Sequence, residues 1–322
     1  MTDTTLATSR PGSTDSRRHQ YVVFGLLVVL ALIAPYFIYP VFLMKGLCFA
    51  LFACAFNLLL GYGGLLSFGH ALYFGSAAYV SAHAAKEWGL STELCIILGT
   101  AYASVLGLIV GWLAIRRQGI YFAMITLALA QMVYFFYLQT PFTHGEDGIQ
   151  GVPRNPLFGL FDITDNLVFY HVVLAVFLAG FLIIHRTIHS PYGQVLKTIR
   201  ENEDRAISLG YRVEHYKLLA FVLSATLSGT AGAMKAIVFQ IASLTDVFWA
   251  MSGEVVLMTL IGGLGTVFGP ILGAFFVVGL QDYLADYGSL VTIIQGVIFV
   301  ICVLAFRRGL VGELGRLLKK AL

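Results

Sequence analysis

Long, unbroken apolar runs constrain this chain more than any other feature. They fall at about 21–38, 42–60, 65–85, 94–115, 120–138, 167–185, 217–239, 254–280 and 289–306. A helix needs roughly 20 such residues to cross a bilayer. The runs are continuous rather than alternating, which excludes a transmembrane β-barrel. Composition agrees, with 58% hydrophobic and 11% charged residues where a soluble domain carries about 25% charge. The fold class read from this is an all-α polytopic membrane protein.

Charge sets the expected topology. Basic residues should mark the cytoplasmic ends of the spans. They cluster at Arg17/Arg18, Arg116/Arg117, Arg186 through Lys217, and Arg307 through Lys320. Acidic residues cluster between them, at Glu87/Glu93, Glu146/Asp147/Asp162/Asp165, Asp246 and Asp282/Asp286. If every run were a full crossing, the Arg307/Arg308 end would fall outside. The stretch LIGGLGTVFGPILG lies in the run that breaks the parity, and its glycines and Pro270 interrupt a plain helix. A re-entrant pair there restores it. The expectation is about eight full transmembrane helices plus one Gly-rich broken pair, with both termini cytoplasmic. Residues 1–20 are then a disordered cytoplasmic tail, 21–306 the transmembrane domain and 307–322 a C-terminal tail. An external loop occupies 140–166 and a cytoplasmic segment 186–217. The first run is long for a signal peptide, ends in Tyr39-Pro40 and lacks a small-residue cleavage site, so it reads as an uncleaved span.

An earlier stretch, NLLLGYGGLLSFGHALYFGSAAYV, shares a loose pattern with the later break. Gly63-Gly64-Leu65, Ser67 and Phe68-Gly69 align, with one gap, to Gly262-Gly263-Leu264, Thr266 and Phe268-Gly269. Interrupted helices in both halves of a weak repeat mark many transporter folds. Backbone broken at membrane depth survives only inside protein or beside a wet cavity. Ser67, His70, Gly262, Gly263 and Thr266 are therefore candidates for a translocation path. The alternatives are that the glycines serve close helix packing and that His70 makes an interhelical hydrogen bond.

Other chemistry is absent from the sequence. Cys48, Cys54, Cys95 and Cys302 lie in apolar runs without a CxxC pair, so no disulfide framework or metal site is indicated. There is no GxxxxGK[ST], HExxH or GxSxG motif, and no basic patch interleaved with aromatics to suit nucleic acid. For an ionisable coupling group at membrane depth, the candidates are Glu254, His70 and Lys235. Glu254 and Lys235 read as snorkelling from the outer ends. Energy for any transport should come from another chain, and no cofactor is expected on this one.

One charge-dense stretch remains, at 190–221. Ser190 suits a helix cap, Pro191 the first turn and Gly210 the stop. Val195, Leu196, Ile199, Ala206 and Ile207 fall roughly on one side, so one amphipathic helix, or two, is expected. Lys197, Arg200 and Arg205 are balanced by Glu201, Glu203 and Asp204. Headgroup helices favour basic faces, so the mixed face suits a protein partner better.

This stretch resembles the cytoplasmic coupling region of permease subunits of bacterial ABC importers. More narrowly, the chain resembles the larger (LivM-type) subunit of the branched-chain amino-acid permease family. The glycine-rich block at 57–79, RRQGIYFAMITLALAQM with the following TPFTHGEDGIQGVP, and SPYGQVLKTIRENEDRAISLGY with the later GGLGTVFGPILGA carry it. His144 departs, standing where the pattern has a second glycine. The resemblance implies an ATP-driven uptake system in the bacterial inner membrane. Its further parts would be a second, shorter permease subunit, two ATPase subunits that use the ATP, and a periplasmic solute-binding protein. It implies that Arg200, Glu201, Asp204, Arg205 and Gly210 face the ATPase, and that Glu146 and Asp147 dock the binding protein or form a solvated turn. The cargo would be branched-chain or other small amino acids, with urea, short amides or aromatic acids as the alternative within the family. A stand-alone channel or secondary carrier is the rival from another class.

Overall fold

A computed structural model describes residues 25, 28–159, 163–285, 288, 291–305 and 309–317. The N-terminal tail, Arg307/Arg308 and the extreme C-terminus lie outside the described residues, as does most of the first half of run 21–38. Among those described, the architecture is helical, with five helices long and apolar enough to cross a membrane. It is that of an all-α polytopic membrane protein.

The helices follow the apolar runs. Helix α1 (Pro40–Asn57) opens on a proline and continues as a π-helical turn, Leu58–Tyr62. Helix α2 (His70–Lys86) begins five residues later than the apolar run predicts, because 63–69 is not helical. Helices α3 (Thr92–Ala114) and α4 (Ile120–Gln139) follow. Helix α5 (Asn166–His189) is capped by Asp165, whose carboxylate accepts the Leu167 amide at 3.0 Å. Two short helices come next, α6 (Pro191–Glu201) and α7 (Glu203–Ser208). Helix α8 (Val213–Phe239) is the longest. Helices α9 (Trp249–Gly262) and α10 (Gly269–Leu284) replace the single run at 254–280. Helices α11 (Val291–Ala305) and α12 (Gly309–Leu317) close the described chain.

Two helices form the centre. The most apolar window of Pro40–Tyr62 is 89% buried, against 28% for α4, so α1 is the hub and α4 a peripheral helix. Helix α1 packs on α5, α8, α9 and α10, while α8 packs on α2 and α3. Phe52 and Phe74 stack across the centre at 4.5 Å between centroids. Small residues bring α8 close to its neighbours. A methyl group added at Gly232 would overlap the carbonyl of Phe74. Helices α3 and α4 leave large apolar side chains outside, including Ile97, Leu108, Trp112, Met124 and Phe135. Such a surface suits lipid or another apolar partner.

A two-residue antiparallel pairing lies at the end where α8 finishes. β1 (Ile149–Gln150) and β2 (Ile241–Ala242) pair as Ile149 with Ala242 and Gln150 with Ile241. It ties the long loop after α4 to the bundle.

Candidate functional site

The first break follows the π-helical turn. Gly64 takes φ 69°, open to glycine but costly for other residues. Ser67 is fully buried, and its hydroxyl accepts the Gly69 amide at 3.2 Å, just before α2 starts. The Phe68 amide donates to Thr126 Oγ1 of α4 at 3.2 Å.

The second break is built alike. Helix α9 ends at Gly262, Gly263 takes φ 120° and Gly265 takes φ 73°. Thr266 Oγ1 donates to the Gly263 carbonyl at 2.7 Å and accepts the Gly269 amide at 3.1 Å. Ser67 and Thr266, paired by the repeat pattern, therefore do the same work. Each hydroxyl accepts an amide at the start of the following helix, which a helix leaves without a partner. Helices α9 and α10 approach so closely that a methyl group at Gly262 would overlap the Gly269 carbonyl. Helix α12 begins at Gly309, directly against the backbone of Gly262 and Gly263.

The two breaks meet. Asn57, near the end of α1, donates from Nδ2 to the Thr266 carbonyl at 2.9 Å and accepts the Gly265 amide on Oδ1 at 3.0 Å. Arg200 of α6 donates to the carbonyl of Gly61, in the π-helical turn. Its alkyl chain passes over Gly64, where a methyl group would sit 2.9 Å from the Arg200 Cγ. A cavity of about 560 Å³ opens between α6 and the breaks, lined by Gly61, Tyr62, Lys197, Arg200, Glu201, Gly265 and Thr266 among others. Of the path candidates, Thr266 lines this cavity, and Ser67, Gly262 and Gly263 are buried in the breaks. Asn57 was visible only as the first residue of the glycine-rich block. A carboxamide inside an apolar run was its signal, since a polar group at such depth needs partners.

His70 makes the interhelical hydrogen bond. It is fully buried, its Nε2 lies 2.9 Å from Ser224 Oγ of α8, and Ser224 in turn donates to the Ala55 carbonyl of α1 at 2.6 Å. Phe56 and Tyr73 meet its ring edge-on, at 4.9 and 5.8 Å. The group thus pins α1, α2 and α8 together.

The polar segment has its own small core. Ser190 Oγ accepts the Gly193 amide at 3.3 Å, Pro191 opens α6 and Gly210 ends α7 with φ 87°. Asn202 divides the segment, since its Oδ1 accepts the Arg205 amide at 2.9 Å and so caps α7. Ile199, Ala206 and Val213 form the core, with Val195 and Tyr216 against it. Leu196 is fully buried toward the bundle. Ile207 corrects the expected apolar side. The turn at Asn202 rotates α7, leaving Ile207 55% and Leu209 63% exposed. Glu203 pairs with Lys217 of α8 at 2.6 Å, and the Tyr192 hydroxyl donates to the Tyr216 carbonyl at 2.7 Å. Burial against Tyr216 pushes the Tyr192 phenol well above its usual range. Arg200, Glu201, Asp204, Arg205 and Gly210 are all exposed, and Arg200 also sends its guanidinium inward to Gly61.

At the other end, Glu146 and Asp147 are exposed on a short 3-10 turn. His144 before them takes φ 58°, a left-handed conformation that explains why a glycine would suit the position. The snorkelling reading of Lys235 is corrected. It is buried, with Nζ 2.8 and 2.6 Å from the two oxygens of Asp246, itself 2% exposed. Glu254 likewise has a partner, accepting from Gln281 of α10 at 3.2 Å. Among the described residues, no three His, Cys, Asp or Glu side chains gather as they would around a metal ion.

Apolar helices, two linked helix breaks and a polar segment packed against them define a polytopic membrane protein of the permease kind. The chain belongs to the family described as branched-chain amino acid transport system / permease component, which matches residues 38–304. It is 26% identical over 277 residues to the high-affinity branched-chain amino acid transport system permease protein LivM of Escherichia coli (strain K12). The LivM protein of Salmonella typhimurium (strain LT2) is similar to the same extent. In each case the match covers 79% of this chain and spans 65% of the relative's length. A probable branched-chain amino acid transport permease protein LivH of Methanocaldococcus jannaschii is 27% identical over 131 residues, 40% of each chain. No solved structure matches the chain.

Proposed function

We propose that this chain is the larger permease subunit of an ATP-driven uptake system for branched-chain or other small amino acids. It pairs with a second, shorter permease subunit in the bacterial inner membrane. Two ATPase subunits bind and hydrolyse the ATP, and a periplasmic binding protein delivers the solute. The chain crosses the membrane about eight times, with α9 and α10 as a broken pair that does not cross, and both termini are cytoplasmic. Helices α9 and α10 are divided by the non-helical stretch 263–268, which breaks the run at 254–280. The 186–217 segment is the cytoplasmic coupling element. Glu201, Asp204, Arg205, Gly210 and the exposed Ile207 and Leu209 meet the ATPase. The path passes the breaks at Ser67, Gly262, Gly263 and Thr266, with His70 supporting it. Glu146 and Asp147 receive the binding protein at the outer side.

One observation carries this reading. In a chain of the permease family, a self-cored amphipathic segment is packed onto the meeting point of two helix breaks. A rigid lever seated on broken backbone is what coupling to a bistable membrane element requires. The test is affinity purification of the tagged chain from membranes, followed by mass spectrometry. Co-purified P-loop ATPase subunits, a second permease subunit and ATP-dependent uptake in proteoliposomes are expected. A chain that purifies alone and conducts solute without ATP overturns the reading in favour of a channel or carrier.

A further inference from the structure

Arg200, in the polar segment, reaches both helix breaks. Its guanidinium donates to the Gly61 carbonyl, in the π-helical turn that leads into the first break. Its alkyl chain covers Gly64 within that break, and a methyl group at Gly265, in the second break, would lie 3.6 Å from its Nη1. A π-helical turn displaces backbone groups from the regular helical ladder, and such turns recur at functional sites. The Gly61 carbonyl lies in such a turn, and a planar, permanently charged donor suits it. The other basic side chain lining this cavity from α6, Lys197, lies instead over the Tyr62 ring, 5.4 Å from its centroid.

We propose that Arg200 is a positioning residue for transport, the joint through which movement of α6 and α7 is passed to both breaks. The assignment rests on the coupling role proposed above for this segment. It removes Arg200 from the set of ATPase-docking residues and gives it an inward task. The docking surface and the joint then lie on the same rigid piece. Glu201, Asp204, Ile207 and Leu209 receive the push, and Arg200 delivers it. A shift of α6 that withdraws the guanidinium would release the Gly61 carbonyl and, through the Asn57 contacts to Gly265 and Thr266, free the second break at the same moment.

The experiment uses the complete importer in proteoliposomes, carrying Arg200→Ala or Arg200→Lys. Solute taken up, ATP hydrolysed and ATPase subunits retained are measured together. Arg200→Ala should keep its ATPase subunits and hydrolyse ATP, yet move about tenfold less solute per ATP, in the range of ordinary coupling energies. Arg200→Lys, which keeps a charged donor, should recover part of that loss. Unchanged solute per ATP in Arg200→Ala overturns the proposal, as does loss of the ATPase subunits, which would make Arg200 a docking residue. Melting of the purified chain in detergent provides an independent check. Arg200→Ala should melt lower than wild type while Arg212→Ala, at a position also exposed, does not. Equal melting of the two also overturns the joint. If the unaltered chain binds no ATPase, the coupling reading fails whatever the melting of the variants shows.

Discussion

The amide of Gly265 donates to the side chain of Asn57 at 3.0 Å, so the second helix break is held by the end of the helix that leads into the first. The same carboxamide donates to the Thr266 carbonyl at 2.9 Å. Asn57→Ala removes both bonds and leaves part-buried backbone groups without partners, a cost of up to about 1–3 kcal/mol for each such group. The variant should melt well below wild type in detergent and transport poorly. Asn57→Asp keeps the acceptor for Gly265 but loses the donor for Thr266, so its defect should be intermediate or greater, since it also buries a charge. Wild-type melting and uptake in Asn57→Ala would show that the breaks are held independently.

Gly263 sits at φ 120°, where an L side chain is strained, and Gly309 of α12 lies against it. Gly263→Val should destabilise the break by about 1–3 kcal/mol and reduce uptake sharply. The coupling segment does not contain Gly263, so the ATPase subunits should still co-purify. Normal uptake by a well-expressed variant would take the second break out of the path.

His144 poses the opposite case. It holds a left-handed conformation at φ 58° on an exposed turn, with a side chain where glycine is relaxed. His144→Gly should leave the turn intact and change stability by no more than about 1 kcal/mol, with gain favoured. A thermal melt of the purified chain measures this. A marked loss would mean that the imidazole makes a contact the turn depends on.

How far the sequence reached follows from what each feature depends on. Helix positions followed directly from apolar runs, because burial in hydrocarbon is a local requirement of every residue in the run. The caps at Ser190 and Asp165 and the stop at Gly210 are also local, and Ser190 and Gly210 were read correctly from neighbours alone. The start of α2 was misplaced because residues 65–69 are apolar yet not helical; their backbone bonds go to Ser67 and to Thr126, which lies far along the chain. Ile207 was put on the wrong side because one helical periodicity was carried through Asn202, where the helix restarts. Lys235 was misread, and the inward contact of Arg200 went unseen, for a shared reason. Their partners, Asp246 and the Gly61 carbonyl, are set by tertiary packing, and a long cation looks the same in sequence whether it snorkels, docks or reaches inward.

The Lys235–Asp246 pair gives a test of that last point. Both residues are buried, so removing one partner leaves the other charge stranded. Lys235→Met alone should cost about 3–5 kcal/mol, whereas adding Asp246→Leu should restore much of it, as apolar replacement of a buried pair often does. The double-mutant cycle is read by melting in detergent. Equal, small effects of all three variants would place the pair in water and return Lys235 to a snorkelling role.

Ile207 and Leu209 are the most exposed large apolar residues of the polar segment, beside the charges of Glu201, Asp204 and Arg205. Apolar side chains at 55% and 63% exposure on an otherwise self-cored segment suit a surface that a partner would cover. If the ATPase covers it, the Ile207→Ser and Leu209→Ser variants should lose ATPase subunits on purification, by about tenfold for the pair if each forfeits only part of the roughly 1.5–3 kcal/mol of a fully buried side chain. Charge reversal at Glu201 and Asp204 should act in the same direction and more strongly at low salt, because exposed ionic contacts are screened. Melting of the chain alone should not change in any of these variants, since none touches the Ile199–Ala206–Val213 core. Full retention of the ATPase after both serine substitutions and both charge reversals would move the docking surface elsewhere on the chain.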